Sequence, residues 1–259
     1  MKHKINEDIV NLEKQFKKIK ELGYIKCNYY DSGAPGRMFE ILLNKKPDNL
    51  RAPDYGNIEI KTLLRKNFYN LTLFSLMPKI NNMNFEQKIA YFFKIFYYKI
   101  LDNRKALSNP HFYLTIDSKQ VVYLKGKLIF KLIFDDTNCR LILSYYNKNC
   151  NSDSEIIYWN YSDIINTFIS KLKFLAIIKY NKYVVKKIIY VHYYELKIYN
   201  CMNESNIINL LKSGDIYIKF NISSKQNPSG EFVPYYHGVE FILKSDSIDK
   251  LFHHFKSYS

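Results

Sequence analysis

Three residues in one short stretch have the types and spacing for chemistry. In "APDYGNIEIKT", residues 52–62, Asp54, Glu59 and Lys61 form a D-x4-E-x-K pattern, and the last two alternate with Ile58 and Ile60. Alternate side chains of a strand share a face. Ile58 and Ile60 are therefore expected to point into a core, with Glu59 and Lys61 on the other side and Asp54 converging on Glu59 from the preceding turn. Two carboxylates held this way bind a hard divalent cation through oxygen. An ammonium beside them orients an attacking water and offsets charge on a phosphate. The chemistry is metal-assisted cleavage of a phosphodiester. The same letters also arise by chance on the solvated face of a strand in a Lys-rich chain. The sequence holds two comparisons. "YELKI" carries Glu195 and Lys197 in the same E-x-K arrangement, but no Asp lies within thirty residues upstream, and it reads as a plain amphipathic strand. "FEQKI", with Glu86 and Lys88, falls in a stretch of helical period.

The elements that must position the triplet follow from periodicity. Ile5, Ile9, Leu12, Phe16 and Ile19 recur at helical spacing before Gly23, which gives an amphipathic N-terminal helix. Gly33, Pro35 and Gly36 make a turn into a short helix over 37–44. A Pro/Asp/Asn-rich loop then leads to the strand "IEIKTLL", and "NLTLFSLM" reads as the next strand, ended by Pro78. Residues 85 to about 100 are helical in period and aromatic. Residues 112–146 are β-rich with short polar turns and suggest an antiparallel meander. "SDIINTFISKLKFL" returns to helical spacing with Ser162 as a possible N-cap. "KKIIYVHYYELKI" reads as a strand, and "NESNIINLLKSG" as a helix closed by Gly214. "DIYIKFNI" and "GVEFILK" read as strands joined by the polar loop "SSKQNPSGEFVPYYH", and "SDSIDKLFHHF" as a last helix.

The chain has 259 residues, 47% of them hydrophobic, enough for a substantial core. Its formal charge of +15 favours a polyanionic partner, nucleic acid or an acidic membrane. Lys-, Asn-, Ile- and Tyr-rich composition is also what an AT-rich genome produces. Scattered basic residues within β-rich segments disfavour a membrane-surface helix. No apolar run reaches the ~18 residues of a membrane span, and "MKHKINEDIV" lacks the apolar core of a secretory signal. Cys27, Cys139, Cys150 and Cys201 form no CxxC pair and read as reduced thiols, which implies a cytoplasmic protein.

"GAPGRMFEILLN", "APDYGNIEIKT" and "LTLFS", taken in order, resemble the restriction endonucleases of the MvaI/BcnI group. These are relatives of the mismatch-repair nickase MutH within the PD-(D/E)XK superfamily. "GDIYIKFNI" and "YYHGVEFIL" resemble the group's C-terminal hairpin, with Val239 where Thr is usual and Ile242 where Arg is usual. The resemblance implies an α/β fold: a PD-(D/E)XK nuclease core with a mixed sheet and flanking helices, in two lobes forming a DNA cleft. The expected division is 1–110 with the active site, 111–200 as a β-rich continuation, and 201–259 as a DNA-recognition hairpin with helices.

The resemblance implies that Asp54, Glu59 and the backbone carbonyl of Ile60 hold Mg2+, that Lys61 positions the water, and that Glu40 completes the acidic cluster. Glu40 also reads as an ordinary surface residue of its helix. Among DNA contacts the resemblance points to His237, Lys219, Asp215, Tyr236 and Arg37; His237 also reads as a turn histidine. The implied activity is sequence-specific, Mg2+-dependent cleavage of double-stranded DNA by a monomer through successive nicks, with a cognate DNA methyltransferase as genetic partner. A MutH-like nickase is the rival enzyme, with the short Asp54-to-Glu59 gap against it. A non-catalytic DNA-binding protein is the rival from another class, and the intact triplet argues against it.

Overall fold

The structure is a computed structural model; it describes residues 2–31, 33–45, 52–64, 70–97, 109–124, 128–147 and 157–259. The chain opens with α1 (Lys2–Glu21), β1 (Ile25–Lys26), α2 (Ala34–Leu42), β2 (Ile58–Leu64), β3 (Leu71–Ser75), β4 (Lys79–Ile80) and α3 (Phe85–Phe96). It continues with β5 (Phe112–Ile116), β6 (Val122–Leu124), β7 (Leu128–Asp135), β8 (Arg140–Asn147), β9 (Ile157–Asn160) and α4 (Tyr161–Leu172). Then come β10 (Phe174–Val185), β11 (Ile188–Cys201), α5 (Asn206–Lys212), β12 (Ile216–Gln226) and β13 (Phe232–Leu243). A 3-10 turn (Ser245–Ser247), α6 (Ile248–Leu251) and β14 (Phe252–Tyr258) close it.

Two compact units are assembled from discontinuous segments: Met1–Tyr69, Phe168–Glu204 and Ser245–Ser259 in one, Asn70–Thr167 and Ser205–Lys244 in the other. Neither coincides with the linear divisions 1–110, 111–200 and 201–259, because strands distant in sequence pair within each unit. The first unit holds a sheet of order β1-β11-β10-β2, with β14 also paired to β11. β2 and β10 run parallel; the other pairs in this sheet are antiparallel. α1 buries Ile9, Leu12, Phe16 and Ile19 in a core with Ile58, Ile60, Ala176, Ile178, Leu196 and Ile198. That core covers one face of the sheet.

The second unit holds two antiparallel sheets, β3-β13-β12-β5 and β4-β9-β8-β7-β6. α3 starts with a reciprocal capping box between Asn84 and Gln87 and buries Phe92 and Phe96 against Phe112, Phe130 and Phe220. Trp159 is 1% exposed and donates its Nε1 proton to the Leu76 carbonyl (2.9 Å), which satisfies its one polar atom.

Several elements depart from the periodicity reading. β5 pairs with β12 rather than joining a single meander; the meander is β6 to β9. α3 is described only to Phe96, and residues 98–100 lie outside the described residues. α4 begins at Tyr161, so Ser162 is inside the helix rather than its cap. The run from Phe174 is the long strand β10, placed between β2 and β11. β12 and β13 extend through most of the expected polar loop and leave only 227–231 as the turn. "FHHF" is strand, not helix: pairing of β14 with β11 outweighs the local helical spacing. Cys27, Cys139 and Cys201 are free thiols, and Cys150 lies outside the described residues. Among the described residues, no helix is long and apolar enough to cross a membrane.

Candidate active site

The turn before β2 is built to present Asp54. Tyr55 and Ile58 exchange backbone hydrogen bonds (2.9 and 2.8 Å) around Gly56 and Asn57. Gly56 has φ +56°, and a Cβ there would collide with the Asp8 carboxylate. Asp8 in turn accepts from Asn57 Nδ2 (2.9 Å), which ties the turn to α1. On the far side of the turn, the Asp54 Oδ2 accepts the Ile60 N–H at 2.9 Å. α2 packs on the same strand, with Gly36 facing the Thr62 hydroxyl. Its start is fixed where Tyr193 donates to the Pro35 carbonyl (2.6 Å).

On β2, Ile58 (0% exposed) and Ile60 (7%) enter the core, as alternation requires. Glu59 takes the opposite face yet is itself only 1% exposed, so this is not a solvated strand face. Lys61 Nζ donates to Glu59 Oε1 at 2.6 Å. A second ammonium, Lys171 from the last turn of α4, reaches the same oxygen at 3.3 Å. Lys45 lies 3.5 Å from Asp54 Oδ1. Glu59 Oε2 is buried and accepts no hydrogen bond from the described residues. Burial pushes the Glu59 carboxyl above its ordinary value; Lys61 opposes this, and the negative charge of Asp54 adds to it.

A buried carboxylate oxygen with no donor is costly, and a divalent cation would satisfy it. Magnesium is commonly held by one or two carboxylates with the rest of its octahedron in water. Glu59 Oε2, Asp54 and a neighbouring backbone carbonyl such as that of Ile60 fit this donor set. Glu40 lies on α2, half-buried. Among the described residues, however, no three acidic, His or Cys side chains come together as a metal cluster. Glu40 therefore does not complete a three-carboxylate site with Asp54 and Glu59 in this structure.

The expected DNA-contact residues are spread over both units. Arg37 on α2 is ion-paired to Asp31 and lies over the Tyr29 ring, 4.5 Å from its centroid. Lys219 on β12 stands opposite Glu240 of β13 and Thr115 of β5. It shares a face with Asn221 and Ser223, away from the buried Ile218, Phe220 and Ile222. His237 is exposed at the β12–β13 bulge, its Nε2 2.7 Å from Ser223 Oγ and its ring edge-on to Tyr235. Tyr236 and Asp215 are engaged in contacts within their own unit, Tyr236 also packing edge-on against Phe85 of α3. The Tyr236 hydroxyl accepts the Val239 N–H (3.0 Å), and Asp215 accepts from the Ser213 hydroxyl (2.6 Å). The sequence reading missed Lys171 and Lys45. Neither carries a local signal: Lys171 reads as an ordinary basic residue at a helix C-terminus, and only the passage of α4 into β10 brings it to Glu59.

Glu59 and Lys61 on β2, with Asp54 in the turn before it and Lys171 alongside, are set on a mixed sheet, and the fold is that of the PD-(D/E)XK nucleases. The family description "MvaI/BcnI restriction endonuclease family" matches residues 13–252, and the chain belongs to that family. It is accordingly a restriction endonuclease, a site-specific deoxyribonuclease of a family that depends on a divalent metal. Two solved structures are similar in fold. One is a restriction endonuclease MvaI–cognate DNA substrate complex, with TM-score 0.77 and 21% identity over 94% of this chain and 96% of that one. The other is restriction endonuclease MvaI in the absence of DNA, with TM-score 0.54 and 21% identity over 98% of each chain. Comparison with curated proteins returned no match.

Proposed function

We propose that this chain is a type II restriction endonuclease that hydrolyses double-stranded DNA with Mg2+ at a site formed by Asp54, Glu59 and Lys61, acting as a monomer by successive nicks. The observation that carries the reading is Glu59, a buried carboxylate with one oxygen on two lysines and the other without a donor among the described residues. Asp54 and Glu59, with the Ile60 carbonyl, are the groups that would hold the cation. When bound, Mg2+ supplies a Lewis acid for the phosphoryl oxygen and lowers the pKa of a coordinated water. Lys61 holds Glu59 on one side and offers the rest of its ammonium to water or phosphate. Water oxygen bonds to phosphorus and its proton passes to solvent, while the bond to the leaving oxygen breaks and that oxygen takes up a proton from water. Asp54 is fixed by the Ile60 N–H, so its second oxygen keeps its aim through the reaction.

Double-stranded DNA is the substrate this reading requires, and a solved relative in fold was captured with its cognate DNA. His237 and Lys219, on the outward face of the β12–β13 ribbon, are the candidates for base and near-base contacts, since a two-stranded ribbon fits the major groove. Arg37 is a candidate phosphate contact once it leaves Asp31. A cognate DNA methyltransferase and a cytoplasmic location follow from a restriction role. The test is incubation of the purified protein with unmethylated supercoiled plasmid and Mg2+, with sequencing of the ends. The expected course is supercoiled to open-circle to linear, with cuts at one short sequence. Accumulation of open-circle DNA alone marks a nickase. Absence of any cut sinks the reading.

A further inference from the structure

The E-x-K of β11, Glu195 and Lys197, is not an isolated amphipathic detail once the sheet is assembled. Lys61 stands opposite Ile177 of β10, and Ile177 opposite Lys197. One level along, Leu63, Lys179 and Glu195 form the next row. Leu196 and Ile198 enter the same core as Ile58 and Ile60. Glu195, Lys197 and Lys179 therefore share the opposite face with Glu59 and Lys61. At a strand spacing of about 4.8 Å, Lys197 sits two strands, roughly 10 Å, from Lys61 across the sheet.

Glu195 takes one lysine on each oxygen: Lys179 on Oε2 at 2.7 Å and Lys197 on Oε1 at 3.5 Å. Burial raises the Glu195 carboxyl, but the two lysines outweigh it and leave it below its ordinary value. The cluster thus has two positive charges against one negative. The lysine side chains are 33% and 31% exposed. Partly exposed ion pairs of this kind contribute little to stability, so exchanging a carboxylate for a phosphate at these lysines disturbs the fold little.

We propose that Lys179 and Lys197 form a binding site for backbone phosphates of the substrate DNA next to the scissile bond, with Glu195 as the counter-charge that holds both lysines until DNA arrives. The proposal rests on the nuclease reading and deepens it. Charge complementarity to DNA and continuity of the sheet face with Glu59 and Lys61 define the occupant. Phosphates follow one another at 3.4 Å of helix rise per strand, so a strand entering at Lys61 offers further phosphates within reach of the neighbouring lysines.

The experiment is a titration of a random-sequence duplex, without metal, at several salt concentrations. Each phosphate contact contributes about 0.9 to the slope of log K against log salt, so Lys179→Met with Lys197→Met should flatten it by about 1.8. The double Arg variant should keep the slope, because the charges stay. Glu195→Gln should tighten binding a few-fold by removing the competing carboxylate. An unflattened slope in the Met variant, or weaker binding by Glu195→Gln, overturns the proposal. Thermal melting identifies a Met variant that fails to fold, and the Arg and Gln variants then decide. Plasmid cleavage by the wild-type protein with Mg2+ is run alongside. No cleavage there defeats the parent reading, whereas cleavage with an unflattened slope defeats only the phosphate site.

Discussion

The same tripeptide pattern, Glu-x-Lys, occurs on β2 and on β11, on one face of one sheet, and the two copies are in different chemical states. Glu59 is 1% exposed and Glu195 18% exposed. Glu59 gathers Lys61 and Lys171 on a single oxygen and leaves Oε2 with no donor among the described residues, whereas Glu195 has a lysine on each oxygen. Glu59 has the charge of Asp54 beside it; the causes acting on Glu195 are burial and its two lysines. The outcome is opposite in sign: burial holds the Glu59 carboxyl above its ordinary value, and the lysines hold Glu195 below it. On the proposed reading, burial, a second carboxylate and an unsatisfied oxygen together make the β2 copy a metal site. The letters alone give an ion pair.

The comparison can be broken most forcefully at the carboxylates. Glu59→Gln and Asp54→Asn should each lower the plasmid nicking rate by at least about 10²- to 10³-fold. DNA binding should persist in both, because a charge repelling phosphate has been removed. A variant of either residue that nicks near the wild-type rate would show that the two E-x-K copies do not differ as described.

Lys61→Ala should cost about 10²-fold in rate while metal binding survives, since both carboxylates remain. Calorimetry showing lost metal affinity would reassign Lys61 to holding the site together. Lys171→Met should have a smaller effect, about tenfold or ~1.4 kcal/mol of barrier, and Lys171→Arg should recover most of it. If the Arg variant is no better than the Met variant, charge at this position is not what matters.

The opposite pKa directions give a pH test. A raised Glu59 pKa means the carboxyl protonates, as pH falls, above the ordinary glutamate value of 4.5. Metal-induced thermal stabilisation, which follows RT ln(1 + [L]/Kd), should therefore fade on acidification before ordinary surface glutamates titrate. In the metal-free protein the same raised pKa favours the protonated folded state, so this group's contribution to stability falls as pH rises through that interval. Glu195 has the reverse sign: its contribution is present above 4.5 and lost as pH falls through its lowered value. A metal-induced shift that holds down to the ordinary glutamate value would remove burial as the feature that separates the two sites.

The candidate site was legible where the information is local. Strand alternation alone places Glu59 and Lys61 on one face and Ile58 and Ile60 in the core, and the D-x4-E-x-K spacing puts Asp54 in the turn before the strand; the part that Gly56 plays in that turn emerges only from its contact with Asp8. Lys171 was not legible because its role depends on where α4 ends against β10. β10 itself shows why. "FLAII" follows a helical run without a Pro or Gly, and its neighbour in the sheet is β2, a parallel partner more than a hundred residues earlier. Residues 252–255 read as helix from spacing but are pulled into a strand by β11. The β12–β13 ribbon was legible in its apolar halves and not in 223–237, where polar residues pair across strands. The position of Glu195 relative to Glu59 and Lys61 was hidden for the same reason: register across three strands is tertiary information.

The most direct test of the difference between the two E-x-K copies is the initial nicking rate of supercoiled plasmid against Mg2+ concentration for the wild type, Glu59→Gln and Glu195→Gln. The wild type and Glu195→Gln should both show a rate that rises and saturates with metal. Glu59→Gln should show no metal-dependent rate at any concentration. A Glu59→Gln enzyme that follows the wild-type curve, or a Glu195→Gln enzyme as inactive as Glu59→Gln is expected to be, would contradict the account.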